Sequence, residues 1–564
     1  MGNNTTGHKT QVGKNILKML MFSLYPDEKT IYREYLQNAC DSINEALQLG
    51  ILSNDNPGRV SIHIDTYKRH IEIEDNGTGI PTREAEARLK DIAKTTKLDN
   101  ENQAGFYGIG RLVGAGYCEQ LTFQTSVIGE DLGSQLTFNV NDLRELIQDK
   151  ENDLEAGEVI DLITGFTTFR EAKEKHYFRV ILDKVLPRYS MLLDEQEVCD
   201  YLAQVAPVPY SPEFTNNLML PAIQSAEAKF MAYYERLNQF RVSTDNFAYD
   251  ITKMYSLTID GTGDEIKGLR LFTLTDPEAG DLAWGWYAIT QFSKAIPKTD
   301  PKTHEAVKTR GIRLRLHNIQ IGGEDFFGGT EYFQQPRGNK YFNGEINIIH
   351  PDITPTADRS DLAPTDLALK LKDLIKDFFN NEMQKCYEEA NKIKNSIKHN
   401  FELAQKIDEI QNTSTSSEFT VAAKEKELQR LESDKSKQEE QLDKSLKSKA
   451  KDSVGLQMVK EVYIQLHEDQ KSVLNTNTPS QQNEKQEKPV PPPSSPVKDK
   501  PLPLTGSNPL AEKLELLADK KGDDIANVVK QILDIIDKYS GQIPTKVISS
   551  MKIVILDNLS RRND

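Results

Sequence analysis

Chemistry concentrates in three segments between Glu34 and Arg111. In IEIEDNGTGI, Asp75 closes an alternating apolar run, and Gly77 and Gly79 follow at alternate positions. Glycine there permits positive φ and close backbone approach to a ligand. A buried carboxylate beside it can accept from an exocyclic amine, as recognition of adenine requires. D-N-G is equally a common plain turn. In AGFYGIGRLVGAG, Gly105, Gly108 and Gly110 are spaced G-x-x-G-x-G ahead of a predicted helix, so backbone N–H groups gather where phosphate oxygens could sit. A flexible loop can carry the same glycines, and neither a Walker A box nor a dinucleotide fingerprint fits their order. In REYLQNACDSINE, Glu34, Asn38, Asp41 and Glu45 recur at helical spacing. At about 100° per residue they form one polar stripe about 60° wide, which taken alone reads as a solvated face.

The elements that must position these residues are legible around them. Pro26 and Asp27 open a predicted helix with apolar positions Ile31, Tyr35, Ala39, Ile43 and Leu47, ended by Gly50. Val60, Ile62 and Ile64, a turn at Lys68-Arg69, then Ile71 and Ile73 predict a β-hairpin that delivers Asp75. Helices alternating with an antiparallel sheet predict an α/β (α+β) sandwich.

In this order the segments resemble the GHKL ATPase superfamily and, within it, the HtpG-type (ninety-kilodalton heat-shock) chaperones. Their E-x-x-x-N-x-x-D helix matches Glu34, Asn38 and Asp41, and their D-x-G-x-G matches Asp75, Gly77 and Gly79. Their I-A-K matches Ile92-Ala93-Lys94, and their glycine box matches Tyr107-Gly108-Ile109-Gly110. The resemblance implies a Bergerat-type ATP-binding sandwich with ATP and magnesium as cofactors. It makes Glu34 the general base and Asn38 the magnesium ligand, places Asp41 in the nucleotide pocket, and has Asp75 accept from the adenine amine. Gly77, Gly79 and Ile80 are counted with the nucleotide site. Lys94 would reach a phosphate from a mobile lid between Pro81 and Ala104, and Gly105, Gly108, Ile109, Gly110 and Arg111 would cradle the phosphates. Arg111 stands where these chaperones place an aromatic. Thr167-Thr168 and the strand His176 to Leu182 are candidates for the family's downstream Gly-Thr strand.

A second likeness lies in FNGEINIIHPDITPTADRSDL, which resembles the chaperone middle-domain loop. It implies that Arg359 reaches the γ-phosphate as an arginine finger. A surface arginine, or one paired with Asp358 and Asp361, is the plain alternative. The family's glutamine after this arginine is replaced, with Ala363 at the corresponding spacing. In Ile312-Arg313-Leu314-Arg315-Leu316 the apolar and basic residues fall on opposite faces of a strand.

The expected organisation is an ATP-binding domain over 1–188, a middle domain over 189–390 and a charged helical or coiled-coil region over 391–469. A Pro/Gln/Ser-rich linker over 470–509 and a small helical domain over 510–564 follow. Leu428, Leu431, Leu442 and Leu446 give the charged region an imperfect seam. The tail matches neither the chaperone dimerisation domain nor the acidic pentapeptide that recruits co-chaperones.

With 564 residues and a net charge of −16, the chain is no small disulfide scaffold, and its acidity disfavours a surface built for nucleic acid. Cys40, Cys118, Cys199 and Cys386 form no C-x-x-C pair, so no zinc ribbon is read and a reducing cytoplasm is expected, without a membrane span. The expected activity is ATP hydrolysis that drives clamp-like change on a client or partner protein, in a homodimer. The alternative is a DNA-acting GHKL ATPase of the MutL, topoisomerase or MORC kind.

Overall fold

Two helices open the described chain, α1 (Asn15–Phe22) and α2 (Thr30–Gln48). The computed structural model describes residues 12–22, 27–53, 55–91, 110–245, 249–412, 418–448 and 453–476. Residues 92–104 of the expected lid, most of the proline-rich linker and the small C-terminal domain lie outside them, while the start of the lid is α3 (Thr82–Lys90). The chain divides into two units, Met1–Thr478 and Pro479–Asp564, and all that follows concerns the first. Ile31, Tyr35, Ala39 and Ile43 of α2 are buried as their spacing predicts, but Leu47 is 41% exposed, and Leu36 and Ala46 are buried in addition. Gly50, at φ 71°, ends the helix in the left-handed conformation that glycine adopts without a Cβ penalty.

The hairpin forms as predicted from β1 (Arg59–Asp65) and β2 (His70–Asp75), with Ile62 opposite Ile73 and Ile64 opposite Ile71. After α3 (Thr82–Lys90) come β3 (Gln120–Ser126), β4 (Leu132–Asn139), α4 (Val140–Gln148), α5 (Ala156–Ile163), β5 (Thr164–Arg170), β6 (Tyr177–Asp183) and α6 (Glu195–Val205). The sheet runs β5-β4-β3-β6-β2-β1 and takes its seventh strand, β7 (Arg241–Thr244), from beyond residue 188, parallel to β1. The helices bury one face through Leu121, Phe123, Leu136 and Val180. On the polar face Arg179 bridges Glu72 and Glu74.

Before β7 the chain leaves this sheet as short helices α7 (Pro212–Phe214), α8 (Leu220–Gln224) and α9 (Lys229–Glu235), which pack Phe214 and Phe230 against Trp284 and Trp286. After β7 and the two-residue strands β8 (Thr258–Ile259) and β9 (Asp264–Glu265), a second sheet forms. Its strands are β10 (Gly268–Asp276), β11 (Gly280–Ile289), β12 (Gly311–Leu316), β13 (Ile319–Ile321) and β14 (Asn343–Ile348), in the order β10-β11-β14-β12-β13. Its other face packs Ile312, Leu314 and Ile346 on α10 (Asp366–Phe378) and α11 (Gln384–Asn412). Arg313 and Arg315, expected on the basic side of β12, are almost wholly buried: Arg313 donates to Lys308 O, and Arg315 donates to Glu345, Asn318 O and Gln204 O of α6.

The charged helices α12 (Glu418–Lys447) and α13 (Val454–Thr476) fold back on this domain. Leu442 and Leu446 of the expected seam are buried in the same core as Val459, Tyr463 and Ile346, whereas Leu428 and Leu431 are only half-buried. All four cysteines are free and buried, and no helix among the described residues is long and apolar enough to cross a membrane.

On the Arg315 face of the second sheet sits an ion cluster. Glu345 accepts from Arg315 Nε at 2.6 Å, Lys253 Nζ at 2.5 Å and the Tyr210 hydroxyl at 2.6 Å. Burial alone would raise the Glu345 carboxyl; Arg315 and Lys253 outweigh it and hold it down at about 2. Removing one partner of such a cluster strands the others without counter-charge. Glu345→Ala is therefore expected to cost about 3–5 kcal/mol in urea denaturation at neutral pH. Because its folded value is depressed, the contribution of Glu345 is full above about 4.5 and fades as pH falls toward 2, so the gap between wild type and variant narrows with acid.

Candidate functional site

The polar stripe of α2 is not a solvated face. Glu34 and Asp41 are buried, Asn38 is half-buried, and only Glu45 is exposed, where it accepts from the Thr78 hydroxyl at 3.2 Å. Arg33 holds Glu34 through Nη2 at 3.1 Å and Nε at 3.3 Å. Gly110 lies directly on it: a Cβ there would stand 2.5 Å from Glu34 Oε2. The first described residue of the glycine box is thus pressed against the carboxylate.

Asp75, at the end of β2, is buried and accepts from Gly77 N at 2.9 Å. The two glycines after it are demanded by contact. A Cβ on Gly77 would meet the Ser42 backbone carbon at 2.6 Å, and Gly79 combines φ 70° with an approach to the Ser126 backbone. Thr78 N donates to Ser42 O at 3.3 Å, which fixes the turn against α2. Ile80 N donates to Thr125 Oγ1 at 2.8 Å, and that hydroxyl donates on to Tyr177 O at 3.0 Å. His176 Nδ1 donates to Gly77 O at 2.9 Å. The turn is therefore held from α2, β3 and the start of β6.

Gly110–Gly116 form a 3₁₀ helix tied to α2 by Tyr35, whose hydroxyl donates to Arg111 O at 3.0 Å and accepts from Gly114 N at 2.9 Å. Burial pushes the Tyr35 hydroxyl well up, so it remains a donor throughout the working range. The Arg111 guanidinium is lowered by burial, with Asp91 acting in opposition. Lys94, Gly105, Gly108 and Ile109 lie outside the described residues. Of the candidates for the downstream strand, Thr167 and Thr168 are exposed on edge strand β5, whereas β6 pairs with β2 and sets Phe178 opposite Asp75.

The part of the fold built on the second sheet meets this site through the Arg359 loop. Arg359 is buried, takes φ 57° and donates its N–H to Thr356 O at 3.0 Å, while its carbonyl accepts from Gly322 N at 2.8 Å. Asp358 accepts from Thr356 and Ser360, and Asp361 pairs with Lys372 at 2.8 Å. Arg33 Nη2 of α2 donates to Asp358 O, in the Arg359 loop, at 3.1 Å. Burial raises the Cys40 thiol, Asp41 and Asp75 raise it further, and Arg359 lowers it, so these charges converge on one point of α2.

Thr125, Tyr35, His176, Ser42 and Arg33 carry no sequence signal of a site; register and packing bring them in. His317 is another such residue. Burial drives its imidazole down to about 4, Asp41 opposes the shift and Arg359 adds to it.

The family model described as histidine kinase-, DNA gyrase B-, and HSP90-like ATPase matches residues 29–165. Chaperone protein HtpG of Burkholderia lata is 30% identical over 145 residues, 23% of this chain and 23% of that protein. HtpG of Burkholderia ambifaria and of Burkholderia cenocepacia match to the same extent. The chain thus spans 23% of the length of these curated relatives.

Because the folded His317 takes its proton near 4 rather than near 6.5, the unfolded chain binds more protons between these values. Stability is then expected to fall as pH drops through that window, by up to about 1.4 kcal/mol per pH unit from this group. Urea denaturation of wild type and His317→Gln at pH 4.5 and 7 checks it: the variant should lose less on acidification.

Proposed function

We propose that this chain, whose residues 29–165 form an ATPase domain of the GHKL superfamily, is an HtpG-like chaperone or remodelling ATPase. ATP closure of its domains would act on a client or partner protein. The observation that carries the reading is the meeting of two machineries: the Arg359 loop lies against the α2 segment that buries Glu34 and Asp41. Nothing in a plain nucleotide-binding module requires a second domain to bring a buried arginine there.

Glu34 is proposed to take a proton from the attacking water as its oxygen bonds to the γ-phosphorus and the bond to the β–γ bridging oxygen breaks. Arg33 and Gly110 fix the carboxylate's position. Asp75 is proposed to accept from the adenine amine, Asp41 to line the pocket, and Gly77, Gly79 and Ile80 to give the base a close-fitting edge. The backbone of Gly110 and Arg111 begins the phosphate cradle, with Lys94, Gly105, Gly108 and Ile109 assigned to it by likeness. Arg359 would offset charge that grows on the transferred phosphoryl group.

Magnesium fits the donor set. Among the described residues no group of three His, Cys, Asp or Glu side chains could hold a metal. One amide oxygen, Asn38, beside a nucleotide suits a cation that keeps most of its waters. When bound, it would neutralise phosphate charge. A homodimer, a protein client and a cytoplasmic location belong to the same proposal.

Steady-state ATP hydrolysis, with nucleotide binding measured alongside, tests it. Glu34→Ala is expected to bind ATP and lose turnover by about 10²–10⁴-fold. Arg359→Ala should lose turnover by about 10³-fold with binding within a few-fold of wild type. Absence of binding in the wild type sinks the ATPase reading, and turnover driven by DNA in a salt-sensitive way would favour a DNA-acting relative instead.

A further inference from the structure

Tyr35 follows Glu34 on α2, and its hydroxyl reaches the 3₁₀ helix of Gly110–Gly116, donating to Arg111 O at 3.0 Å and accepting from Gly114 N at 2.9 Å. In a 3₁₀ helix a carbonyl and the N–H three residues on belong to the same turn. One hydroxyl therefore grips both polar groups of the turn that starts beside Gly110. Gly114 leaves it room, because a Cβ there would stand on the hydroxyl and 3.3 Å from Tyr35 Cζ. The far end of the same helix is held from elsewhere: Arg144 of α4 donates to Ala115 O at 3.1 Å, Gly116 O at 3.4 Å and Cys118 O at 3.0 Å.

The near end is where the proposed chemistry lies. Gly110 presses on Glu34 Oε2, and Arg111, the next residue, offers its carbonyl to Tyr35. Two successive residues of α2 thus meet two successive residues of the glycine segment, one through a carboxylate and the other through a hydroxyl. Contact at one point would let the segment pivot on the carboxylate; the second point removes that freedom. Tyr35 is 2% exposed, so water does not compete for either bond. The adenine end of the site has its own supports, Gly77 N on Asp75, Thr78 N on Ser42 O and Ile80 N on Thr125, none of which involves Tyr35.

We propose that Tyr35 is a positioning residue for hydrolysis: its hydroxyl fixes the start of the phosphate cradle against Glu34, so that base, water and γ-phosphate are held at reacting distance. The inference rests on the ATPase reading above and adds to it a residue that acts through the backbone rather than on the nucleotide. Turnover responds steeply to such placement, a shift of about 1 Å costing about 10²-fold, whereas binding energy spread over the adenine and phosphate contacts responds little.

Steady-state hydrolysis and ATP affinity of the full-length wild type, Tyr35→Phe, Gly114→Ala, the double variant and Tyr32→Phe test it, with the melting temperature of each. Tyr35→Phe removes one oxygen and is expected to lower kcat at least about tenfold with the Kd for ATP within about threefold of wild type. Gly114→Ala, which displaces the hydroxyl, should also lower kcat, and the double variant should fall no further than the worse single one, since both break the same interaction. Tyr32→Phe is the control for a lost buried hydroxyl: it deletes a 2.6 Å bond to Leu192 O from the same helix, away from the glycine segment. Its kcat should stay within about twofold of wild type even where its melting temperature falls as far. An unchanged kcat in Tyr35→Phe, or a loss matched by Tyr32→Phe, overturns the role of Tyr35 and leaves the ATPase reading intact; a wild type without turnover overturns both.

Discussion

A single buried carboxylate decides whether the two sheets of this protein keep their relation. Glu345 fixes Arg315 and Lys253, and Arg315 reaches on through Nη2 to Gln204 O at 2.6 Å, at the end of the helix that packs beside α2. Lys253 reaches Asn318 Oδ1 at 2.7 Å, and Asn318 Nδ2 donates to Asn238 O at 2.6 Å. The strand that carries Glu345 runs into the loop of Arg359, and Gly322, just beyond β13, holds that loop by its N–H. Charge that could be satisfied in only one arrangement therefore aligns the arginine loop with the acidic helix. Such a cluster adds little net stability over a well-packed apolar core, and its value here lies in geometry.

That geometry gives meaning to the burial of α2. A helix with an acidic stripe is ordinary at a surface; inside a protein, each carboxylate needs compensation. Arg33 compensates Glu34, and the Gly77 amide compensates Asp75. The glycines beside them are forced by backbone and side-chain approach, at Gly77 by Ser42 and at Gly110 by Glu34. Short-range packing thus presents the polar atoms, and the loop of Arg359 is added to an edge already built.

The parts of this arrangement legible in the sequence are those set by local periodicity and by glycine. The β1–β2 hairpin, Asp75 at its end and the stripe of α2 could be read because each is written in consecutive residues. Thr125, His176 and Tyr35 could not, because they arrive by strand register or across the core, and one Thr, His or Tyr carries no spacing. The alternation of β12 was legible, but not the burial of both its faces, where Arg315 meets Gln204 O of α6 from far upstream and Glu345 of β14. Leu47 shows the reverse limit: helical spacing assigns it to the core, yet the helix ends beside an open cavity.

The chain crosses between the sheets more than once: from α6 it passes over the second sheet, returns to pair β7 with β1, and leaves again. A fragment ended anywhere before Arg241 would keep the acidic helix and the glycine turns yet leave β1 with its hydrogen-bonding edge bare. Bare edges recruit strands from other molecules. Self-association of an isolated ATPase fragment would then reflect a missing strand rather than the assembly of the intact protein, and residue 245 is the earliest natural place to end one.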